Sequence, residues 1–162
     1  MQRTQRQARA EFITSIAGTI VFAHYYALIE RMMDWRKVWI LFFYFPDWRG
    51  LNGYHYVFMA SLFLFVGGLP LLDDFFLKLK DERFIKEGLV LVFGNMLCAA
   101  LVEDAAYWYL FGEWVYPTCW TCQILGYLDV FGYPIPTWYF IFAMMIAACY
   151  YYAFCGIKTS LI

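Results

Sequence analysis

An all-α integral membrane protein is the fold class this sequence predicts: a bundle of four transmembrane helices, with an interfacial helix in the first outer link and a long aromatic outer loop. Three observations predict it. Hydrophobic residues make up 64% of the 162-residue chain and mean hydropathy is +0.56, well above a soluble domain of this size. Aromatic residues reach 23% and crowd the ends of the apolar runs, as interfacial belts do. Four runs also meet or approach the ~20 apolar residues that cross a bilayer: residues 12–29, 54–72, 88–110 and 137–154. The chain reads as one transmembrane domain over 1–162, with no repeat, low-complexity tract or Ser/Gly linker. A formal charge of −1 without a basic stripe argues against nucleic acid as a partner, because nothing neutralises phosphates.

The first span follows Arg3, Arg6 and Arg9, as in the positive region of a signal peptide. No small-x-small cleavage site closes it, and its apolar stretch is longer than a signal core, so an uncleaved anchor helix is expected. Lys and Arg then set orientation. Arg3, Arg6, Arg9, Lys78, Lys80, Arg83, Lys86 and Lys158 fall on one side, and Arg31, Arg36, Lys37 and Arg49 on the other. This majority predicts cytoplasmic termini in a cell membrane.

The first link holds an apolar strip, 38–45, which includes Trp39 and lies between Trp35 and Trp48. It is too short to span and too apolar to be solvated, so it reads as a helix at the outer interface or as a surface awaiting a partner subunit. Pro46 ends it. Gly67, Gly68 and Pro70 predict a kink or loosened turn late in the second span. Asp73 and Asp74 sit among Lys78, Lys80, Arg83 and Lys86, a charge-mixed link that explains them without chemistry.

The third span carries the main functional signal, because Glu103 and Asp104 lie side by side in an otherwise apolar run. Carboxylates in a bilayer are expensive and usually face a bundle interior, a partner or a wet cavity. At ~1.5 Å per residue, Glu103 is ~22 Å up from Gly88 and His24 ~18 Å up from Phe12, both in the outer half; His55 opens the second span at the outer surface. Successive helical residues are ~100° apart, so the two carboxylates face different ways. Glu103 shares a face with Ala99 and Tyr107, and Asp104 one with Ala100 and Trp108. Asn95 extends a polar line inward. Two readings stay open. In one, His24, His55, Glu103 and Asp104 form a proton, ligand or transition-metal site for iron, copper or zinc, with Glu103 and Asp104 the candidate catalytic groups. In the other, the carboxylates are structural acceptors for Tyr25, Tyr26, Tyr107 or a loop arginine.

The outer loop, 112–136, has no Lys or Arg but holds Trp114, Tyr116, Trp120, Tyr127, Phe131 and Tyr133. At that length it is expected to cover the bundle mouth or to meet another subunit. Within it, Cys119-Trp-Thr-Cys122 is a C-x-x-C pair, either a disulfide, two thiols or a thiol–disulfide centre. In length, span count and this motif the chain resembles four-helix quinone-coupled thiol oxidases and vitamin K epoxide reductases, but Cys98, Cys149 and Cys155 do not supply their second external pair. They read as small packing residues. Residues 101–108 (LVEDAAYW) resemble a Glu-Asp-x-x-aromatic-Trp signature of small four-helix prokaryotic membrane proteins, a likeness that implies architecture and a prokaryotic cell membrane but no activity.

The functional expectations are therefore three. The aromatic excess suggests a structural or accessory subunit of a larger membrane complex, such as a multi-subunit oxidase or monooxygenase, with lipid and other integral subunits or a second copy as partners. The polar residues suggest a stand-alone membrane enzyme or a ligand- or metal-binding protein using Glu103, Asp104 and His24. The cysteine pair suggests a thiol–disulfide oxidoreductase.

Overall fold

A computed structural model describes residues 5–32, 53–68 and 82–159, with side chains placed over 9–32, 55–67 and 86–155. The expectations for the strip 38–45, for Pro46 and Pro70, for Asp73 and Asp74, and for most of the charges in the two links fall outside those residues.

Helix α1 runs Gln5–Met32, longer than the apolar run at both ends. Gln, Arg, Ala and Glu are good helix formers, so the helix continues where hydropathy stops. That extension makes Glu30 and Arg31 helical residues rather than part of a link. Helix α2, Gly53–Ser61, passes into a π-helical segment, Leu62–Gly68, where the glycine pair predicted a loosened turn. Helix α3 is Glu82–Tyr109 and helix α5 is Thr137–Thr159. Between them lie a short helix α4, Trp120–Leu125, and an antiparallel hairpin of β1, Tyr127–Val130, and β2, Tyr133–Pro136. Among the described residues, three helices are long and apolar enough to cross a membrane, over Arg9–Met32, Lys86–Tyr109 and Thr137–Cys155, with a shorter apolar helix at His55–Gly67.

Contacts fix the directions of the helices. Ser15 meets Asn95, and Ala23 packs with Ala99, so α1 and α3 run parallel. Phe12 meets Tyr150 and Phe154, while Tyr139 meets Asp104, so α5 runs against both. Phe58 packs on Phe22 and Tyr26, and the Tyr26 hydroxyl donates to Ser61. Gly67 sits against Val92 and Met96. The π segment is thereby laid along α3 in the opposite direction.

The core is thin. Ala23, Phe58, Leu62, Val66 and Ala99 form one cluster. The alanines let α1 and α3 approach closely, as small residues do between membrane helices. Gly94 does the same between α3 and α5: a Cβ there would lie 2.9 Å from Cys149 Cβ. Next to it, Asn95 is almost fully buried. Its Nδ2 donates to Ser15 Oγ at 2.7 Å and its Oδ1 accepts from the Tyr150 hydroxyl at 2.9 Å. One amide thus ties three helices, and the polar line predicted at Asn95 is a cross-link between α1, α3 and α5.

Candidate functional site

The end of the bundle that carries residues 112–136 holds the acidic pair. Glu103 is buried, 7% exposed, and its carboxyl lies within hydrogen-bonding reach of that of Glu30 from α1. A carboxylate only accepts hydrogen bonds, so this contact requires a proton on one of the two groups. Asp104 points to another side, as the helical angle predicts, and accepts from the Tyr139 hydroxyl of α5. It remains close enough to bear electrostatically on Glu30. Two branches meet here: Glu30–Glu103 between α1 and α3, and Asp104–Tyr139 between α3 and α5.

The loop closes over the second branch. Thr121, Cys119 and Cys122 are buried, and Val115, Cys119 and Cys122 pack with Trp108 one turn beyond Asp104. Trp138 Nε1 donates to Thr121 O at 3.1 Å, holding α4 on the first turn of α5. His55 meets Trp120 edge to face, at 5.6 Å between ring centres. The loop expected to fold over the bundle mouth is therefore an ordered cap whose buried face lies beside Asp104.

The two cysteines are both thiols here. Cys119 caps α4: its Sγ accepts from Cys122 N at 3.4 Å and lies 3.0 Å from Thr121 Oγ1. Burial first, then the neighbouring Cys119 and the charge of Asp104, push the Cys122 thiol up to about 12. A thiol–disulfide catalyst needs the opposite, a thiolate stabilised at low pKa. The oxidoreductase reading gains nothing from this environment. Cys98 is buried in helix packing, as expected.

His24 has contacts of its own, away from Glu103 and Asp104 in what it bonds. His24 Nδ1 lies 2.8 Å from Ile20 O, and Nε2 meets the Tyr109 hydroxyl. With Nδ1–H given to the carbonyl, Nε2 accepts from the tyrosine. Among the described residues, no group of three or more His, Cys, Asp or Glu side chains is arranged to hold a metal ion. The proposed ligand set of His24, His55, Glu103 and Asp104 is thus divided between separate contacts. Arg31, at the end of α1, pairs with Glu113 and Tyr107 rather than with the acidic cluster.

Glu30 is the member that sequence reasoning passed over. Ending the first span at residue 29 placed it among the link charges. The missed signal was spacing: Glu30 follows Ala23 and Ala27, two buried residues of α1, at i+7 and i+3 on one helical face.

These features define a mostly helical protein with three helices long and apolar enough to cross a membrane among the described residues, and with a carboxyl cluster beside the 112–136 segment. Compared with protein-family models, curated proteins and solved structures, the chain matches none.

Proposed function

We propose that this chain is a stand-alone membrane protein that takes up and releases a proton at Glu103, with Glu30 sharing the proton and Asp104 and Tyr139 forming a second branch toward the loop. The observation that carries this reading is the Glu30–Glu103 contact. Two carboxyls in hydrogen-bonding contact hold one proton between them, and removing it leaves adjacent like charges in an apolar bundle. Asp104 adds a third acid nearby, and the neighbouring arginine, Arg31, is engaged by Glu113. Such a cluster favours a held proton over three free charges, which suits acid–base work or proton-coupled binding. His24, bonded to Tyr109, has no part in it.

Glu103→Gln is the direct test, since an amide keeps the shape and can still donate to Glu30. In lipid nanodiscs, infrared spectra of the wild type should contain a protonated-carboxyl carbonyl band that titrates with pH. Glu103→Gln should remove or shift it while the helical amide signal stays unchanged. An identical, pH-responsive band in that variant would overturn the proposal.

The accessory-subunit reading rested on aromatic surface. Exposed apolar residues on α1 and α5 are what lipid would cover, and the strip 38–45 lies outside the described residues. No observation on the described residues favours a partner subunit specifically.

A further inference from the structure

The hairpin presents the most exposed large apolar side chain among the described residues: Phe131, 97% exposed. It also stands at φ 55°, followed by Gly132 at 84°. Positive φ at both central residues is the pattern of a type I′ turn, whose first position is ordinarily asparagine, aspartate or glycine. A phenylalanine there is both backbone-strained and unburied. The surrounding surface is apolar too. Leu128 and Tyr133 on the same face of the hairpin are half exposed, as are Leu125 of α4 and Trp114.

Charge and continuity identify what covers this surface. From Trp114 to Thr137 the chain has one charged residue, Asp129, and its Oδ1 is occupied by Gly132 N at 2.8 Å within the turn. Residues 114–137 themselves supply no cation to recognise an anionic partner or headgroup. Strand β2 ends at Pro136 and the membrane-crossing helix α5 begins at Thr137, whose amide is tied to Gly126 O at 3.0 Å. The base of the hairpin is therefore at the membrane end of α5, and four-residue strands put the tip within ~14 Å of it. Trp114 braces the middle of β2, meeting Tyr133 edge to face and donating to Pro134 O at 3.3 Å. Trp114 lies five residues beyond the end of α3, so the brace holds the hairpin across the helix ends.

We infer that the 127–136 hairpin is a lipid anchor: the Phe131 ring, flanked by Leu128 and Tyr133, inserts into the interface of the leaflet on the loop side. Aromatic rings partition to that zone without electrostatic help. Insertion is thus independent of anionic lipid.

The test uses the full chain in phosphatidylcholine nanodiscs, with a trifluoromethyl-phenylalanine placed at position 131 by codon suppression and, in a control, at the exposed loop position 118. A lipid carrying a nitroxide near the headgroup should broaden the fluorine resonance at position 131 at least threefold more than at position 118. A water-soluble gadolinium chelate should do the reverse. Adding phosphatidylglycerol should change neither ratio. Equal chelate broadening at both positions would show a water-exposed tip and overturn the inference. A position-131 resonance reached by neither probe would place the ring against protein, such as a second copy, and overturn it as well.

Discussion

Cys122 shows how burial alone can redirect a familiar motif. In sequence it belongs to a C-x-x-C pair, which elsewhere supports thiolate chemistry. Here Thr121 and both cysteines face the cap interior, and the Cys122 thiol is pushed up to about 12. A raised thiol pKa favours the neutral form, so reactivity should be absent near neutrality and climb as pH rises. At pH 8 roughly one Cys122 thiol in ten thousand is ionised, against about one in four for a cysteine at the ordinary ~8.5. Alkylation of the folded protein, followed by mass spectrometry of the Cys122 peptide, should therefore run at least ~10³ slower than for an exposed cysteine at pH 8. The rate should rise about tenfold per pH unit toward pH 11 while the fold persists. Fast labelling at pH 7 would show that the thiol is neither buried nor raised.

The helices depend on polar and small residues at a few crossings more than on a large core. Asn95 is the best case, since it bridges Ser15 on α1 and Tyr150 on α5. Interhelical hydrogen bonds in membranes contribute about 0.6 kcal/mol on average and up to ~2. Asn95→Leu removes two and leaves the facing hydroxyls to find other partners, so it should cost about 1–3 kcal/mol. Reversible unfolding in mixed micelles measures this, and a cycle with Tyr150→Phe separates the α5 bond. Additive losses in that cycle would mean that the two groups do not interact. Asn95 was legible in sequence as a polar residue two turns from Glu103, but its partners were not. They come from helices 80 and 55 positions away in the chain, and no local pattern encodes which faces meet.

The directions of α1, α3 and α5 make a prediction about the molecule as a whole. Arg9 and Phe12 near the start of α1 lie against Phe154 near the end of α5, so the first turns of α1 and the last turns of α5 lie at the same end of the bundle. The Lys and Arg majority of the sequence predicts a cytoplasmic location for that end. Reporter fusions that are active on only one side of the membrane should give the same answer at either terminus, and that answer should be cytoplasmic. Opposite answers would contradict the helix directions, whereas two external answers would contradict only the charge assignment.

Composition and the spacing of apolar runs determined by themselves that the chain is helical and suited to a membrane, because a bilayer admits only long apolar helices or closed barrels. They also located Glu103 and Asp104, since a charge inside such a run stands out one residue at a time. The helical angle separated the two carboxylates without any structure. Only the tertiary structure decided their partners: Glu30 for Glu103, Tyr139 for Asp104, and the cysteine cap above them. It also gave His24 its partner, Tyr109, and turned the aromatic loop into a helix and a hairpin. The physical reason is that hydropathy reports how much of a helix prefers lipid. Which polar atoms find each other depends on the packing of surfaces distant in sequence.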